Sequence, residues 1–230
     1  MRRTIALLTA VGLMLPLAAH ALNERVWMMA NGIGSTYDMS TLNTELDATN
    51  AAYGTTFPHV TRGGSFGGAV GLETADRWNY GLGYDRLAAT TQSSDSTGTS
   101  EYRFGANAWR VFAEYALRPI GRSTLFVGGA FGMVQERGKM RFTSPGFVPQ
   151  EFKTIGTNPL IEGYLGGNLW ATSTFGLTAT VGYRFAKVKE TKLEGGYPLT
   201  TTNGQPLDLN FSGPTVRIGF KLAAKSFGEL

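Results

Sequence analysis

Hydrophobic and polar residues alternate along most of this chain. In residues 174–188 (TFGLTATVGYRFAKV), aromatic and aliphatic side chains occupy the odd positions from 175 to 185, and Gly, Thr and Arg occupy the even ones between them. Successive side chains of a β-strand point to opposite faces, so this period of two predicts strands with one apolar face.

Eight segments share the alternation and predict an all-β protein. They cover residues 25–34, 64–73, 77–88, 102–117, 125–137, 160–170, 175–189 and 209–222. Short connections at 74–76, 118–124 and 171–174 alternate with long ones at 35–63, 89–101, 138–159 and 190–208. All short turns therefore lie at one end of a meander and all long loops at the other, which is typical of barrels that span outer membranes.

The parity of the apolar positions changes inside the last segment. Leu209 and Phe211 are odd, whereas Val216 and the apolar residues after it are even. We predict a β-bulge at Gly213 and Pro214 that makes this switch, since Gly and Pro within a strand often mark a bulge.

Alternation alone does not say which face meets water, and three features favour lipid on the apolar face. The other face is mostly small, which suits the narrow interior of an eight-stranded barrel. That face also carries charges of both signs, which predict a lumen charge network: Asp85, Arg110, Glu114, Glu162, Arg184, Arg217 and Lys221. Aromatic residues near the strand ends predict an interfacial girdle: Trp78, Tyr80, Trp109, Tyr115, Phe175, Phe185 and Phe220. A soluble barrel with the faces reversed is the alternative fold.

The N-terminus predicts a cleaved secretory signal peptide at residues 1–21 and a single barrel domain at 22–230. Arg2 and Arg3 precede a short apolar run, and Ala19-His20-Ala21 fits the small-x-small cleavage rule. Without the two arginines, 19 basic residues face 17 acidic ones, so nothing indicates a nucleic-acid partner. The chain has no Cys and so no disulfide.

Over nearly all of its mature part, the chain resembles the small outer-membrane β-barrel family of the OmpA/OmpX type. The resemblance rests on the signal peptide, the eight alternating segments and the last strand GPTVRIGFKLAA. The resemblance implies an all-β, eight-stranded antiparallel up-and-down transmembrane barrel in the bacterial outer membrane. It also implies contact with membrane lipids and lipopolysaccharide, recognition by the barrel-assembly machinery, and a monomer. Roles in the family range from structural anchoring and adhesion to solute passage and lipid-modifying catalysis, so the resemblance assigns no single activity.

The first long connection predicts a short helix over residues 39–53. Met39, Leu42 and Leu46 share one helical face, which Tyr53 extends. Asp38 or Ser40 would cap its start, and Gly54 would end it. The helix would either cover the outer mouth of the barrel as a lid or pack on its rim.

The sequence offers little chemistry for a catalytic or metal site. His59 is the one histidine left after cleavage, with no Ser within two positions, so we predict no enzyme activity, no cofactor and no metal. Basic residues toward the long-loop end are possible lipopolysaccharide contacts through charge-assisted bonds to phosphate, or solvated loop charges: Arg137, Lys139, Arg141, Lys187, Lys189 and Lys192.

These observations favour a structural or surface-interaction protein with long extracellular loops and a mostly filled polar lumen. A narrow small-solute pore lined by the same charges is the first alternative. A lipid-modifying outer-membrane enzyme that depends on His59 is the second.

Overall fold

A computed structural model describes residues 25–95 and 98–224 of the chain, so the predicted signal peptide lies outside the described residues. Eight antiparallel strands form the wall. They are β1 (Arg25–Thr36), β2 (Arg62–Glu73), β3 (Trp78–Asp95), β4 (Gly98–Ile120), β5 (Ser123–Thr143), β6 (Gln150–Trp170), β7 (Phe175–Phe185) and β11 (Gly213–Ala223). The remaining elements are helix α1 (Ser40–Tyr53) and the short strands β8 (Lys187–Val188), β9 (Lys192–Leu193) and β10 (Leu209–Asn210).

The wall is a closed ring. Each strand pairs with its sequence neighbour, and β11 pairs with both β7 and β1. The closing ladder runs without a break from Trp27↔Ala223 to Ser35↔Thr215. Because closure gives every wall strand two hydrogen-bonded neighbours, none presents an open edge to lipid. The predicted eight-stranded antiparallel barrel is confirmed.

Several strands extend further than the sequence pattern predicted. The predicted loop at 89–101 is mostly strand, because β3 continues to Asp95 and β4 starts at Gly98. The predicted loop at 138–159 is likewise mostly the ends of β5 and β6. These hairpin extensions escaped prediction because their outward-facing residues are polar, which is also the signature of a loop.

Polarity reverses between the two parts of each long strand. On β5, the outward-facing side chains are apolar from Leu125 to Met133, and basic from Arg137 onward. Many inward-facing residues beyond this height are apolar; Val134, Leu87 and Phe104 are fully or almost fully buried. The lower part of the barrel, near the short turns, therefore has the apolar exterior that lipid requires. The upper part, near the long loops, resembles a water-soluble barrel with an apolar core.

This reversal corrects the predicted bulge at Gly213 and Pro214. The pairing of β11 with β7 keeps an unbroken register through these residues, and its pairing with β1 is unbroken from Thr215 onward. Leu209 and Phe211 face inward into the apolar core of the upper part, as Arg217 faces inward lower down. The apolar residues change parity because the outward face meets lipid in the lower part, whereas the inward face forms an apolar core in the upper part.

Helix α1 lies in the connection between β1 and β2, as predicted. Its N-cap is Met39 without a side-chain cap, so the predicted capping by Asp38 or Ser40 is wrong. Gly54 ends the helix in the left-handed conformation (φ 67°) and donates its N–H to Asn50, 2.9 Å away. Tyr53 is 79% exposed and does not join the apolar face. Within the described residues, no helix is long and apolar enough to cross a membrane.

Candidate functional site

The exterior of the lower barrel is a continuous apolar surface bordered by aromatic residues. Near the short turns, the ring of Trp78 lies 5.1 Å from that of Tyr115, and Phe175 stacks on Phe220 at 5.9 Å. Tyr80, Trp109 and Phe185 also lie on the outward-facing parity of their strands. Near the long loops, Trp109 contacts Tyr84 and Phe185 contacts Tyr183, and the sequence reading missed both tyrosines. Such a surface is buried only in lipid.

The seven predicted lumen charges all point inward and are buried. Five of them form what we call the central charged layer: Asp85, Arg110, Glu162, Arg184 and Arg217.

In this layer, Arg217 bonds to both carboxylates, with Nη2 2.7 Å from Asp85 Oδ2 and 2.8 Å from Glu162 Oε2. Arg110 lies 3.3 Å from Asp85 and 3.8 Å from Glu162. Thr215 donates a further bond to Glu162 at 3.1 Å. The network crosses the lumen from wall to wall, and its paired geometry offsets part of the cost of burying the charges.

Arg184 is held differently from the other two arginines. Its guanidinium donates to the carbonyl of Phe211 at 3.3 Å and to Ser35 Oγ at 3.1 Å, and both partners are neutral. The side chain is fully buried, and its Nη1 has no hydrogen-bond partner in the described part of the chain.

The remaining two predicted charges lie toward the short-turn end, in an aromatic layer. This periplasmic aromatic layer consists of Trp27, Phe112, Phe126 and Tyr164. The Lys221 ammonium lies 3.9 Å from the ring centroid of Trp27, a cation–π contact. Glu114 accepts a 3.0 Å bond from the hydroxyl of Tyr164. The layer therefore fills the lumen below the central charges.

Above the central charges, the lumen holds a third layer, the outer apolar layer. It joins inward-facing strand residues to helix α1 and the segment after it. Its members include Tyr37, Met39, Leu42, Leu46, Phe57, Val60, Leu87, Phe104, Val134, Leu160, Val188, Leu209 and Phe211. The apolar face of the helix thus packs on the inward-facing core at the outer mouth.

Two asparagines that the sequence reading missed tie the returning segment to the helix. Asn43 bonds to both backbone groups of Val60, at 2.8 and 3.2 Å. Asn50 does the same with Phe57, at 2.8 and 3.1 Å. Thr91 of the barrel wall donates to the carbonyl of Pro58 at 2.7 Å, so helix, return segment and wall are joined.

Glu136 is a buried acid that the sequence reading also missed. It faces inward on β5, above the lipid-facing part, since the outward-facing residue that follows it is Arg137. Thr154 donates to one of its oxygens at 2.8 Å, and the other oxygen has no partner among the described residues. Burial raises the pKa of Glu136 from 4.5 to about 7, against the smaller lowering by Thr154 and by Arg86.

Three of the predicted lipopolysaccharide contacts have acidic partners. Lys139 pairs with Glu151 at 2.9 Å, Lys187 with Asp208 at 2.7 Å and Lys192 with Glu190 at 3.3 Å. The bond from Lys139 lowers the pKa of Glu151.

Arg137 and Arg141 point outward from the upper part of β5. Lys189 lines a polar groove of about 510 Å³ between the first turns of α1 and the last outer loop. Its other lining residues are Ser40, Thr41, Thr44, Glu45, Thr201, Asn203, Gln205, Pro206 and Asp208.

His59 has a carboxylate partner but no nucleophile. Its Nε2 lies 2.8 Å from Asp47 Oδ1 of the helix, at the exposed outer face. In residues 25–95 and 98–224, no hydroxyl is hydrogen-bonded to the ring and no group of three His, Asp or Glu side chains is arranged to hold a metal ion.

No family profile and no curated protein matches the sequence. Among solved structures, the chain is similar to neisserial surface protein A, with 13% identity, a TM-score of 0.51, and coverage of 86% of this chain and 96% of that one. It is also similar to OprG from Pseudomonas aeruginosa, at 13% identity, TM-score 0.47 and coverage of 90% and 98%. Ail of Yersinia pestis follows at 12% identity, TM-score 0.44 and coverage of 87% and 99%.

The similarity to neisserial surface protein A concerns the fold, which agrees with the ring of eight strands. The apolar exterior and its aromatic borders agree with a barrel that spans a membrane. The predicted OmpA/OmpX-like architecture is therefore confirmed at the level of the fold. The chain has the fold of the small outer-membrane β-barrel proteins, and its apolar exterior is that of a barrel that spans a membrane.

Proposed function

We propose that this protein is a closed, non-enzymatic outer-membrane barrel with a structural or surface-interaction role. The single observation that carries the proposal is the filling of the lumen at three heights. Aromatic rings occupy the periplasmic end, ion pairs join opposite walls at the centre, and apolar side chains with helix α1 occupy the outer end.

A solute would have to displace all three layers to pass. At the centre, it would separate Arg217 from Asp85 and Glu162, and separating a buried pair leaves uncompensated charges. At the outer mouth, it would expose Leu42 and Leu46, which are now 3% and 2% exposed. The contacts therefore support a scaffold rather than a small-solute pore.

The outer end offers the surfaces for interaction. The β5–β6 hairpin extends past the lipid-facing part, and Phe147 and Val148 at its tip are 77% and 87% exposed. The polar groove beside α1 faces the same side. We infer that recognition of surface partners takes place on these loops.

We also infer that phosphate groups of lipopolysaccharide contact Arg137 and Arg141. Both point outward beyond the apolar part of β5, four and eight residues after Met133. Arginine binds phosphate through two parallel hydrogen bonds. Lys139, Lys187 and Lys192 already have acidic partners, so they contribute less to such binding.

Conductance of the purified protein in planar bilayers tests the closed lumen. We expect no stepwise currents from the wild-type chain, and none after deletion of residues 39–54, because two filled layers remain. Reproducible currents whose size changes in Arg217→Gln or Arg184→Gln would overturn the proposal and establish the narrow pore. Currents unchanged in both variants would point to leakage around the protein and would be checked against protein-free bilayers.

A further inference from the structure

The central charged layer contains more positive than negative side chains. Three arginines, Arg110, Arg184 and Arg217, face two carboxylates, Asp85 and Glu162, and all five are buried. Arginine keeps its charge in proteins. When both carboxylates are ionised, the layer carries one excess positive charge in an environment where unpaired charge is costly.

The excess charge is located at Arg184. Arg110 and Arg217 each lie within 4.0 Å of both carboxylates. In contrast, the described residues give Arg184 only neutral acceptors, and its Nη1 is buried without a partner.

Neither of the other two buried acids contacts Arg184. Glu114 belongs to the periplasmic aromatic layer with Lys221, where one acid faces one base. Glu136 pairs across strands with Gly156 on β6, whereas Arg184 pairs with Glu162, six residues further along the same strand. At about 3.3 Å per residue, this separation is roughly 20 Å along the strand.

We propose that Arg184 binds one small monovalent anion of the halide class inside the lumen. A single negative charge balances the layer, and the free Nη1 supplies a charge-assisted hydrogen bond to it. The filled layers above and below favour a small ion over a phosphate or a carboxylate-bearing metabolite. The anion is a structural component of the lumen, and this goes beyond the proposed surface role.

The thermal stability of the detergent-solubilised full chain tests this site. The midpoint is the temperature at which half the protein loses the gel mobility of the folded barrel. It is compared in sodium chloride, sodium bromide and sodium gluconate at equal ionic strength, so that general screening is constant. We expect a saturable rise with halide of roughly 3–6 °C at ten times the half-saturating concentration.

Two variants show whether Arg184 is responsible. Arg184→Gln removes the charge and should abolish the halide dependence. Ser35→Asp places a carboxylate at the position that now accepts a bond from Arg184 Nη2 at 3.1 Å. This second variant should be as stable in gluconate as the wild type is in saturating halide, with no further response. It keeps the test decisive if Arg184→Gln does not fold.

Anomalous diffraction from crystals soaked in bromide gives an independent test of the anion site. An anomalous peak within hydrogen-bond distance of the Arg184 guanidinium in the wild type, absent in Ser35→Asp, would support the site. Equal midpoints in halide and gluconate, or the same halide response in wild type and Ser35→Asp, would overturn it and assign the free Nη1 to water.

Discussion

Arg217 joins two carboxylates from different walls of the barrel, lying 2.7 Å from Asp85 on β3 and 2.8 Å from Glu162 on β6. Replacing it by Met leaves both acids buried without their main partner. We expect Arg217→Met to lower the free energy of unfolding by about 3–5 kcal/mol, the usual cost of breaking a buried ion pair. Urea unfolding in lipid vesicles, followed by Trp fluorescence, measures the change.

An exposed pair serves as the control for this prediction. Lys187 and Asp208 are 2.7 Å apart, but the lysine side chain is 45% exposed, so Lys187→Met should cost only about 0.2–1 kcal/mol. Adding Glu162→Gln to Arg217→Met should restore part of the loss, because Asp85 then keeps Arg110 as its partner and the layer has the same excess of one positive charge as the wild type. A loss in Arg217→Met no greater than that in Lys187→Met would contradict the role of the network.

Glu136 should make the stability of the upper barrel depend on pH. Its pKa is about 7 in the folded protein and 4.5 in its ordinary state, so folding is penalised when the group ionises. Stability should therefore fall as pH rises from about 4.5 to 7 and remain low above 7. Glu136→Gln should match the wild type at pH 4 and exceed it by about 3 kcal/mol at pH 8.5.

Unfolding curves across this pH range check the prediction, with Glu190→Gln as the control. Glu190 is a half-exposed surface acid in a pair with Lys192, so its replacement should not reproduce the gain in stability of Glu136→Gln at pH 8.5. If the wild type and Glu136→Gln differ equally at both pH values, the effect comes from packing and not from ionisation.

Gly128 leaves the space that the ring of Tyr164 occupies. A Cβ at this position would lie 2.7 Å from Tyr164 Cε2 and 3.0 Å from Glu114 Cγ. Gly128→Ala should therefore shift the tyrosine from its bond to Glu114 and cost about 1–3 kcal/mol, as overpacking of a filled interior does. Gly163→Ala is the matched control, because a Cβ there meets no atom within 4 Å. Equal stability of the two variants in urea unfolding would show that the periplasmic layer is loosely packed.

The apolar face of α1 should hold the helix at the outer mouth. Replacing Leu42 and Leu46 by Ala removes two almost fully buried side chains, each worth about 2–5 kcal/mol of local stability. Amide hydrogen exchange of residues 40–53 should accelerate strongly, while β5 and β6 remain protected. Thr44→Ala, on the exposed face, should not change the exchange. Unchanged exchange in the double variant would mean that Asn43 and Asn50 suffice to hold the helix.

The membrane-facing half of the barrel was predictable from sequence because lipid imposes a simple rule on each strand. From Leu125 to Met133, one face must be apolar and the other small or polar, and the alternation is visible without any structure. The inward direction of Arg110 and Arg217 follows from the same rule. Their exact partners do not, since a residue on β11 contacts residues on β3 and β6 that no local pattern connects.

The outer half was harder to predict from sequence because the polarity of its inward and outward faces is reversed. The odd parity of Leu209 and Phe211, opposite to that of Val216, predicted a bulge, whereas the structure buries both side chains in an apolar core. The strand extension toward Thr143 resembled a loop because its exposed face is basic and polar. Glu136 carried no local signal at all, since its surroundings come from β6 and the segment beyond β7.

The reversal of polarity along β5 also sets how deeply the protein sits and how thick a bilayer suits it. The outward apolar stretch from Leu125 to Met133 is nine residues long. At about 3.3 Å per residue and a tilt of about 40°, it covers roughly 20 Å along the bilayer normal. Sinking by one residue pair would draw Arg137 toward hydrocarbon, and rising would expose Leu125 to the headgroups. A thick membrane would have to compress around this barrel, so its strand sequences specify a thin one.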